Sequence, residues 1–554
     1  MKKLQLTLLF YFITIIIWGQ SLKNWHWKDV EKDSVHGISL QKAYHLLSTY
    51  HIQPKQVIVA VIDGGVDTNH LELKNKLWTN PLEIPDNNID DDHNGYVDDV
   101  HGWNFLGGKD GRNIDKADAE KTRIYHRYKN KFESKNIDTL SFTAKEKKLY
   151  TTWKEVAKDI EFSDQDVANL QYIQMATNAI KKIGINIIKE MGDSNFTTSK
   201  LEAYQPIGRN TLEAKSAFLR TATILGIDKE TSFTEIINDL TEYIDSKEKA
   251  ATAKEKLPST IRDEIIKDHY DDFTDRSYGN NDITGPNAKH GTHVAGLVVS
   301  IPDSSWKVNE LYPPIKIMVL RAVPDGDEYD KDVALAIRYA VDNGAKIINM
   351  SFGKSYSPEQ IWVDSAIRYA AAKDVLLIHS AGNEFYDLDQ KSVFPNPYSS
   401  QLNDTAKNIL TVAASSDASL SESILTDFSN YGPKIVDVLA PGNKIYSTLP
   451  GKDNHGFLSG TSMAGPIVSN LAAIIRSFFP NLSAVQVKEI IMKSAWLPKD
   501  KLVSYTVPQH DVSKRLDEIS KSGGIVNAAN AIEMAKMMAS NLPAKSNKKK
   551  STTN

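Results

Sequence analysis

Three short segments constrain this chain more than anything else in it: Val61-Ile62-Asp63-Gly64-Gly65, His290-Gly291-Thr292-His293-Val294-Ala295-Gly296 and Gly460-Thr461-Ser462-Met463-Ala464-Gly465-Pro466. In that order they supply a carboxylate, an imidazole and a hydroxyl, each beside small residues that let backbone and ligand come close. A serine hydroxyl is a weak nucleophile at neutral pH. It needs a base within hydrogen-bond reach, and the base needs a third group to fix its tautomer. The chain order Asp, His, Ser is one of three unrelated orders that build the same constellation.

A fourth segment, Ser380-Ala381-Gly382-Asn383-Glu384, adds an amide side chain. On these four segments the chain resembles the subtilisin-like (S8) serine peptidases. The resemblance implies that Ser462 is the nucleophile, His290 the general base and Asp63 the group that orients it. It also implies that Asn383 donates the side-chain hydrogen bond of the oxyanion hole. Ile348-Asn349-Met350-Ser351-Phe352-Gly353 resembles the strand beside the primary substrate pocket, so Ser351, Phe352 and Gly353, with Ser380, Ala381 and Gly382, are the candidate substrate-binding residues. A peptide adding there as an extra strand would take affinity from main-chain bonds and specificity from pockets. A broad or apolar preference is the default expectation. The family usually has Asp-Ser-Gly or Asp-Thr-Gly where this chain has Asp63-Gly64-Gly65, which removes a local hydrogen bond but no catalytic group.

Asp67 is the other carboxylate near the first segment and is expected to shape its loop. His293 is the rival base and is expected to pack on the following apolar helix. A metal held by His290 and His293 lacks a suitable third ligand nearby, and there is no His-Glu-x-x-His segment. Ser462 lies in Gly-x-Ser-x-x-Gly spacing, unlike the Gly-x-Ser-x-Gly elbow of α/β-hydrolases, which disfavours an esterase of that fold. A non-catalytic scaffold would be expected only if a triad member were missing, and none is.

The fold class expected is α/β: a subtilisin-like three-layer fold with a mostly parallel central sheet, plus an α-helical insertion domain. Apolar runs at 57–62, 315–320, 346–350, 375–378, 409–413 and 437–439 read as buried strands, with helical patterns such as 332–341 and 359–372 between some of them. Ligands of such sheets bind at the carboxyl ends of strands. Asp63 directly follows the first run and Asn383 closely follows the fourth. A loop enters an apolar helix at Ser462, whose first turn presents unpaired N–H groups suited to an oxyanion.

Between Asp63 and His290 lie 226 residues, far more than the few dozen usual in the resembled family. Residues 109–272 read as a helical insertion of no recognised family, between peptidase parts at 21–108 and 273–540. Capping boxes are expected at Thr143/Glu146, Ser163/Asp166 and Ser232/Glu235. A decoration without chemistry and a wall or lid beside the substrate groove are both open. About forty residues precede Asp63 after the leader, which leaves no space for a large propeptide. Residues 541–554 read as a polar, lysine-rich, solvated tail.

At 554 residues and 41% hydrophobic composition, the chain can bury one large core and carry an additional unit. Lys2 and Lys3 precede an apolar run from Leu4 to Trp18, and residues 1–20 read as a secretion signal, with an uncleaved anchor as the alternative. The expected location is therefore extracellular or in the cell envelope. There is no cysteine, which excludes disulfides, a thiol nucleophile and lipid attachment through cysteine. A net charge of −4 gives no reason to expect nucleic acid or an anionic surface as partner; the resemblance implies protein or peptide substrates as the partners. No cofactor is needed for the chemistry. Asp90, Asp92, Asn94, Asp98 and Asp99 concentrate oxygen ligands in one short stretch and are the candidate ligands of a structural Ca²⁺ ion. The twelfth position of the would-be calcium loop is His101, so this is not an EF-hand; a solvated acidic loop is the alternative.

Overall fold

The computed structural model describes residues 23–542 apart from 135–138, 228, 230, 302–311, 422, 499–501 and 508–509. The signal expected at 1–20 and nearly all of the tail expected at 541–554 lie outside the described residues. No helix among them is long and apolar enough to cross a membrane.

The chain divides into two compact units, one made of Met1–Glu120 with Ser259–Asn554, the other of Lys121–Pro258. In the first unit, seven strands form one sheet: β1 (Val57–Asp63), β2 (Gly102–Asn104), β3 (Ile315–Arg321), β4 (Ile347–Met350), β5 (Leu376–Ser380), β6 (Ile409–Ser415) and β7 (Val438–Pro441). Their spatial order is β2-β3-β1-β4-β5-β6-β7, and every neighbouring pair is parallel.

Side chains alternate across the pleat, so each strand feeds two cores. Val57, Val59 and Val61 of β1 pack in a cluster with Val294 and Leu297 of α1 (Ala288–Val298). Ile467, Leu471 and Ile474 of α4 (Thr461–Phe478) belong to the same cluster. Ala60 and Ile62 face the opposite cluster, with Leu335 of α2 (Asp330–Asp342) and Ile367 of α3 (Gln360–Ala372). Burial on both faces is why these strands read as continuous apolar runs rather than alternating ones.

The chain leaves β1 for the edge strand β2, returns to β3 beside β1 and then crosses to β4 on the other side, so β1 borders the switch point of the sheet. That is where open α/β sheets gather ligands, outside the carboxyl ends of their strands. A hairpin of β8 (Ile445–Leu449) and β9 (Asn454–Leu458) packs on α1.

The second unit is helical. Helices Ala144–Asp159, Asp164–Met191 and Phe233–Thr252 each start with a capping box, on Thr143/Glu146, Ser163/Asp166 and Ser232/Glu235. Its core joins Ile180, Ile187, Phe196, Leu201, Phe218 and Ile236. This unit is narrower than the 109–272 segment that charge and helical spacing marked out. Ile114, Ile265 and Ile266 are buried in the core of the first unit, and Arg262 pairs there with Asp332 at 2.7 Å. The two flanks therefore belong to the sheet-bearing unit.

Candidate active site

Asp63 is the last residue of β1 and is buried. Its Oδ1 accepts from the Gly64 N–H at 2.8 Å, and both carboxylate oxygens lie 2.9 Å from His290 Nδ1. The two residues are 227 apart in the chain. Their approach depends on the residue next to the imidazole. A Cβ on Gly291 would sit 2.1 Å from the Gly65 carbonyl oxygen and 3.0 Å from Asp63 Oδ1, so a side chain there would separate β1 from α1.

The His290 side chain is 42% exposed. Loss of hydration opposes its charged form, but the attraction of Asp63 and the hydrogen bond to it outweigh that loss and hold the ring above the ordinary imidazole value. With Nδ1–H committed to Asp63, the ring's other nitrogen is its acceptor.

His293 has the opposite environment. It is fully buried, and its Nε2 donates to the carbonyls of Ile445 at 3.0 Å and Gly456 at 3.2 Å. Burial drives its pKa down to about 3, with the nearby His290 acting in the same direction against those two bonds. It ties α1 to the β8–β9 hairpin, where Ser447 and Thr448 hydroxyls also donate to the His293 and Thr292 carbonyls. Asp67 likewise shapes its loop: its N–H donates to Thr292 Oγ1 at 2.9 Å and its carboxylate accepts from Gly451 N at 2.8 Å.

Ser462 is the second residue of α4 and is half-buried, with its hydroxyl 3.3 Å from the Ser351 carbonyl. Its own N–H falls in the first helical turn, where no intrahelical acceptor exists. Asn383 lies three residues beyond β5, and its amide is clamped from one side. The Thr461 N–H and hydroxyl donate to Asn383 Oδ1 at 2.9 and 3.0 Å, and the same hydroxyl accepts from Gly382 N. The amide oxygen is thereby used up, which leaves Nδ2 as the donor presented beside Ser462.

A cavity of about 190 Å³ opens there, lined by Ser351, Phe352, Gly353, Ser380, Gly382, Asn383, Thr461 and Ser462. Ala381 does not line it. That residue is fully buried in the core, and its carbonyl accepts from Asn430 Nδ2 at 2.9 Å. Glu384, Tyr386, Lys354, Ser355 and Val393 do line it. Of these, Glu384 stood in the quoted fourth segment, whereas Val393 carries no sequence signal. Sequence reasoning also missed Arg321, the buried end of β3, which donates to the Gly64 carbonyl at 2.9 Å and to Asp115 at 3.0 Å. It anchors the turn just after Asp63.

A sequence profile of the subtilase family, peptidase S8, matches residues 54–522. The chain belongs to the subtilase family. A thermophilic serine proteinase of Bacillus sp. (strain AK1) is 33% identical over 233 residues, which cover 42% of this subtilase and 51% of that protein. Thermitase of Thermoactinomyces vulgaris is 34% identical over 208 residues, covering 37% of this chain and 66% of thermitase. This chain thus spans about half to two thirds of the length of these relatives. Among solved structures, the prenylagaramide maturation protease PagA matches 45% of this chain and 82% of its own at 28% identity, with a TM-score of 0.34.

The acidic loop is built differently from the expected ligand set. Ligand atoms of Glu83, Asp90 and Asp92 all lie within 4.8 Å of one another. Glu83 is 7% exposed and its Oε2 has no hydrogen-bond partner among the described residues, while Oε1 accepts from the Asp91 and Asp92 N–H groups. Burial is the main force raising its pKa, helped by the charges of Asp92 and Asp91. Asn94 donates its N–H to Asp90 and Asp92 at 3.0 Å each. Asp98 is occupied by the N–H groups of Asn87 and Asn88. Asp99 accepts from Asn80, Asn94 and Tyr339, and burial nonetheless raises its pKa to about 6.

Proposed function

We propose that this subtilase is an exported serine endopeptidase acting on protein or peptide substrates. Ser462 Oγ attacks the scissile carbonyl carbon while His290 Nε2 takes its proton. The C–N bond then breaks as the ring returns that proton to the leaving amine, and water repeats the sequence on the acyl-enzyme. Asp63 keeps the ring in the Nδ1–H tautomer and stabilises the imidazolium that forms. Asn383 Nδ2 and the Ser462 N–H hold the oxyanion, a charge better bound in the transition state than in the substrate.

The observation that carries this reading is the seating of His290 Nδ1 2.9 Å from both oxygens of a buried Asp63. The test is hydrolysis of casein by the purified protein. It should be abolished by Ser462→Ala and by His290→Ala; near-normal turnover by either variant refutes the roles given.

Two further assignments belong to the same reading. A structural Ca²⁺ ion fits the Glu83–Asp90–Asp92 oxygens, because a buried carboxylate oxygen without a donor is costly unless a cation meets it. Such an ion would neutralise the loop and take no part in the chemistry. Export follows from the leader at 1–20 and would be checked by N-terminal sequencing of the secreted protein.

A further inference from the structure

One cluster of ligating side chains outside the active site has a different chemistry from the acidic loop. We propose that His70, Asp453 and His455 bind a divalent transition-metal ion of the Zn²⁺ class, fastening the segment after β1 to the β8–β9 hairpin. One ligand atom from each of the three lies within 4.8 Å of the others. His70 is fully buried and His455 is 19% exposed, with ring centroids 5.3 Å apart and Tyr446 stacked on the outer face of His455 at 5.5 Å.

Each ring is oriented by a backbone carbonyl. His70 Nε2 lies 3.0 Å from the Asn454 oxygen and His455 Nδ1 lies 3.3 Å from the Asp453 oxygen. A metal-binding histidine characteristically gives its second nitrogen to such a group, which fixes the tautomer and aims the lone pair of the first. Here the ligating atoms are His455 Nε2 and His70 Nδ1, the latter exchanging for the ion the hydrogen bond it accepts from the Glu72 N–H at 3.2 Å. His455 Nε2 donates to Glu72 Oε1 at 3.1 Å, and an ion at this nitrogen would take the place of that proton. Glu72 is therefore within reach as a fourth ligand.

Two imidazoles with carboxylate oxygens select zinc-like ions over calcium, which takes oxygen ligands alone. In a tetrahedral zinc site, ligand atoms about 2.1 Å from the metal stand about 3.4 Å from one another. From its 4.8 Å outer limit the cluster must thus contract by about 1.4 Å. Asp453, exposed at the hairpin turn, has the freedom to supply that movement.

The position gives the ion a consequence. Leu71 N donates to the Lys452 carbonyl at 3.0 Å, so the two segments already meet here. The hairpin in turn holds α1 through Ser447, Thr448 and His293. An ion at this point cross-links a chain without disulfides next to the support of His290.

The test uses the full chain carrying Ser462→Ala to prevent self-digestion, stripped with chelator and returned to millimolar Ca²⁺ so that an oxygen site stays filled. Titration with ZnCl₂ in a calorimeter should show one ion per chain. Co²⁺ should give the visible bands of a tetrahedral site. At a free zinc concentration 100 times Kd the folding equilibrium should shift about 100-fold toward the folded state, read as a rise in Tm. His455→Gln and Asp453→Asn, both outside the core, should weaken binding at least tenfold and remove the Tm rise, whereas His290→Ala should leave the stoichiometry unchanged. Equal zinc affinity in the parent and in folded His455→Gln, or no binding by the parent, overturns the proposal. In the latter case the cluster is only hydrogen-bonded.

Discussion

Acid should destabilise this subtilase through two histidines that are buried uncharged, and His26 allows the effect to be isolated. His26 is fully buried, and neither ring nitrogen has a hydrogen-bond partner among the described residues. Burial, reinforced by the neighbouring His293, lowers its pKa from 6.5 to about 3. His293 is lowered from 6.5 to about 3 as well. Between these values the unfolded chain binds protons that the folded chain does not, so stability is complete above pH 6.5 and falls as pH falls toward 3. For one such group the loss at pH 5 is about 2 kcal/mol, and for two acting independently about 4 kcal/mol. The assay is urea unfolding of Ser462→Ala at pH 7.5, 6 and 5 in constant calcium, compared with the same protein carrying His26→Leu. The apolar substitution removes one proton-binding site and two unpaired buried nitrogens. It should therefore recover about 2 kcal/mol at pH 5 relative to its effect at pH 7.5. An identical difference between the two proteins at every pH refutes the reasoning, because carboxylates that titrate in the same range are common to both.

Three other outcomes are expected. Asn383→Ala should lower kcat by roughly 10²–10³ with little change in KM, the size known for one oxyanion donor in subtilisin, measured in steady-state peptide hydrolysis. Millimolar Ca²⁺ should raise Tm over excess chelator, and Glu83→Gln should shrink that gap while leaving the chelated protein no less stable, because the unpaired buried charge is gone. Replacing residues 121–258 by a short linker should leave a folded sheet unit, since Ser259 N already donates to Asp118 at 2.7 Å across the excision; circular dichroism checks the fold. The rate ratio for a peptide and a folded protein then tests whether the insertion restricts access.

Much of this architecture is legible in the sequence because the sheet is covered on both faces. Each strand core then reads as an unbroken apolar run, and the six runs found mark β1 and β3–β7 to within a few residues. Strand β2 escapes, since Gly102–Asn104 is three residues long and holds one apolar side chain. Charge and helical spacing alone extend the insertion too far, because Ile114 and Ile265 sit in charged surroundings in sequence although they pack under the sheet. In the site, Asp63, His290, Ser462 and Asn383 announce themselves through small neighbours that close approach requires. Glu83 does not, since it stands seven residues before Asp90 and enters the cluster only through the loop's turn. The His70 and His455 pairing is equally invisible, because the hairpin returns to the β1 segment from 384 residues away.

The central claim is that Ser462 is a nucleophile activated by His290. Incubating the intact protein with a fluorophosphonate and locating the adduct by peptide mass spectrometry tests it most directly. One phosphonyl group per chain on Ser462, absent in His290→Ala, is the predicted result. An adduct on another residue, or equal labelling of Ser462 without His290, would contradict it.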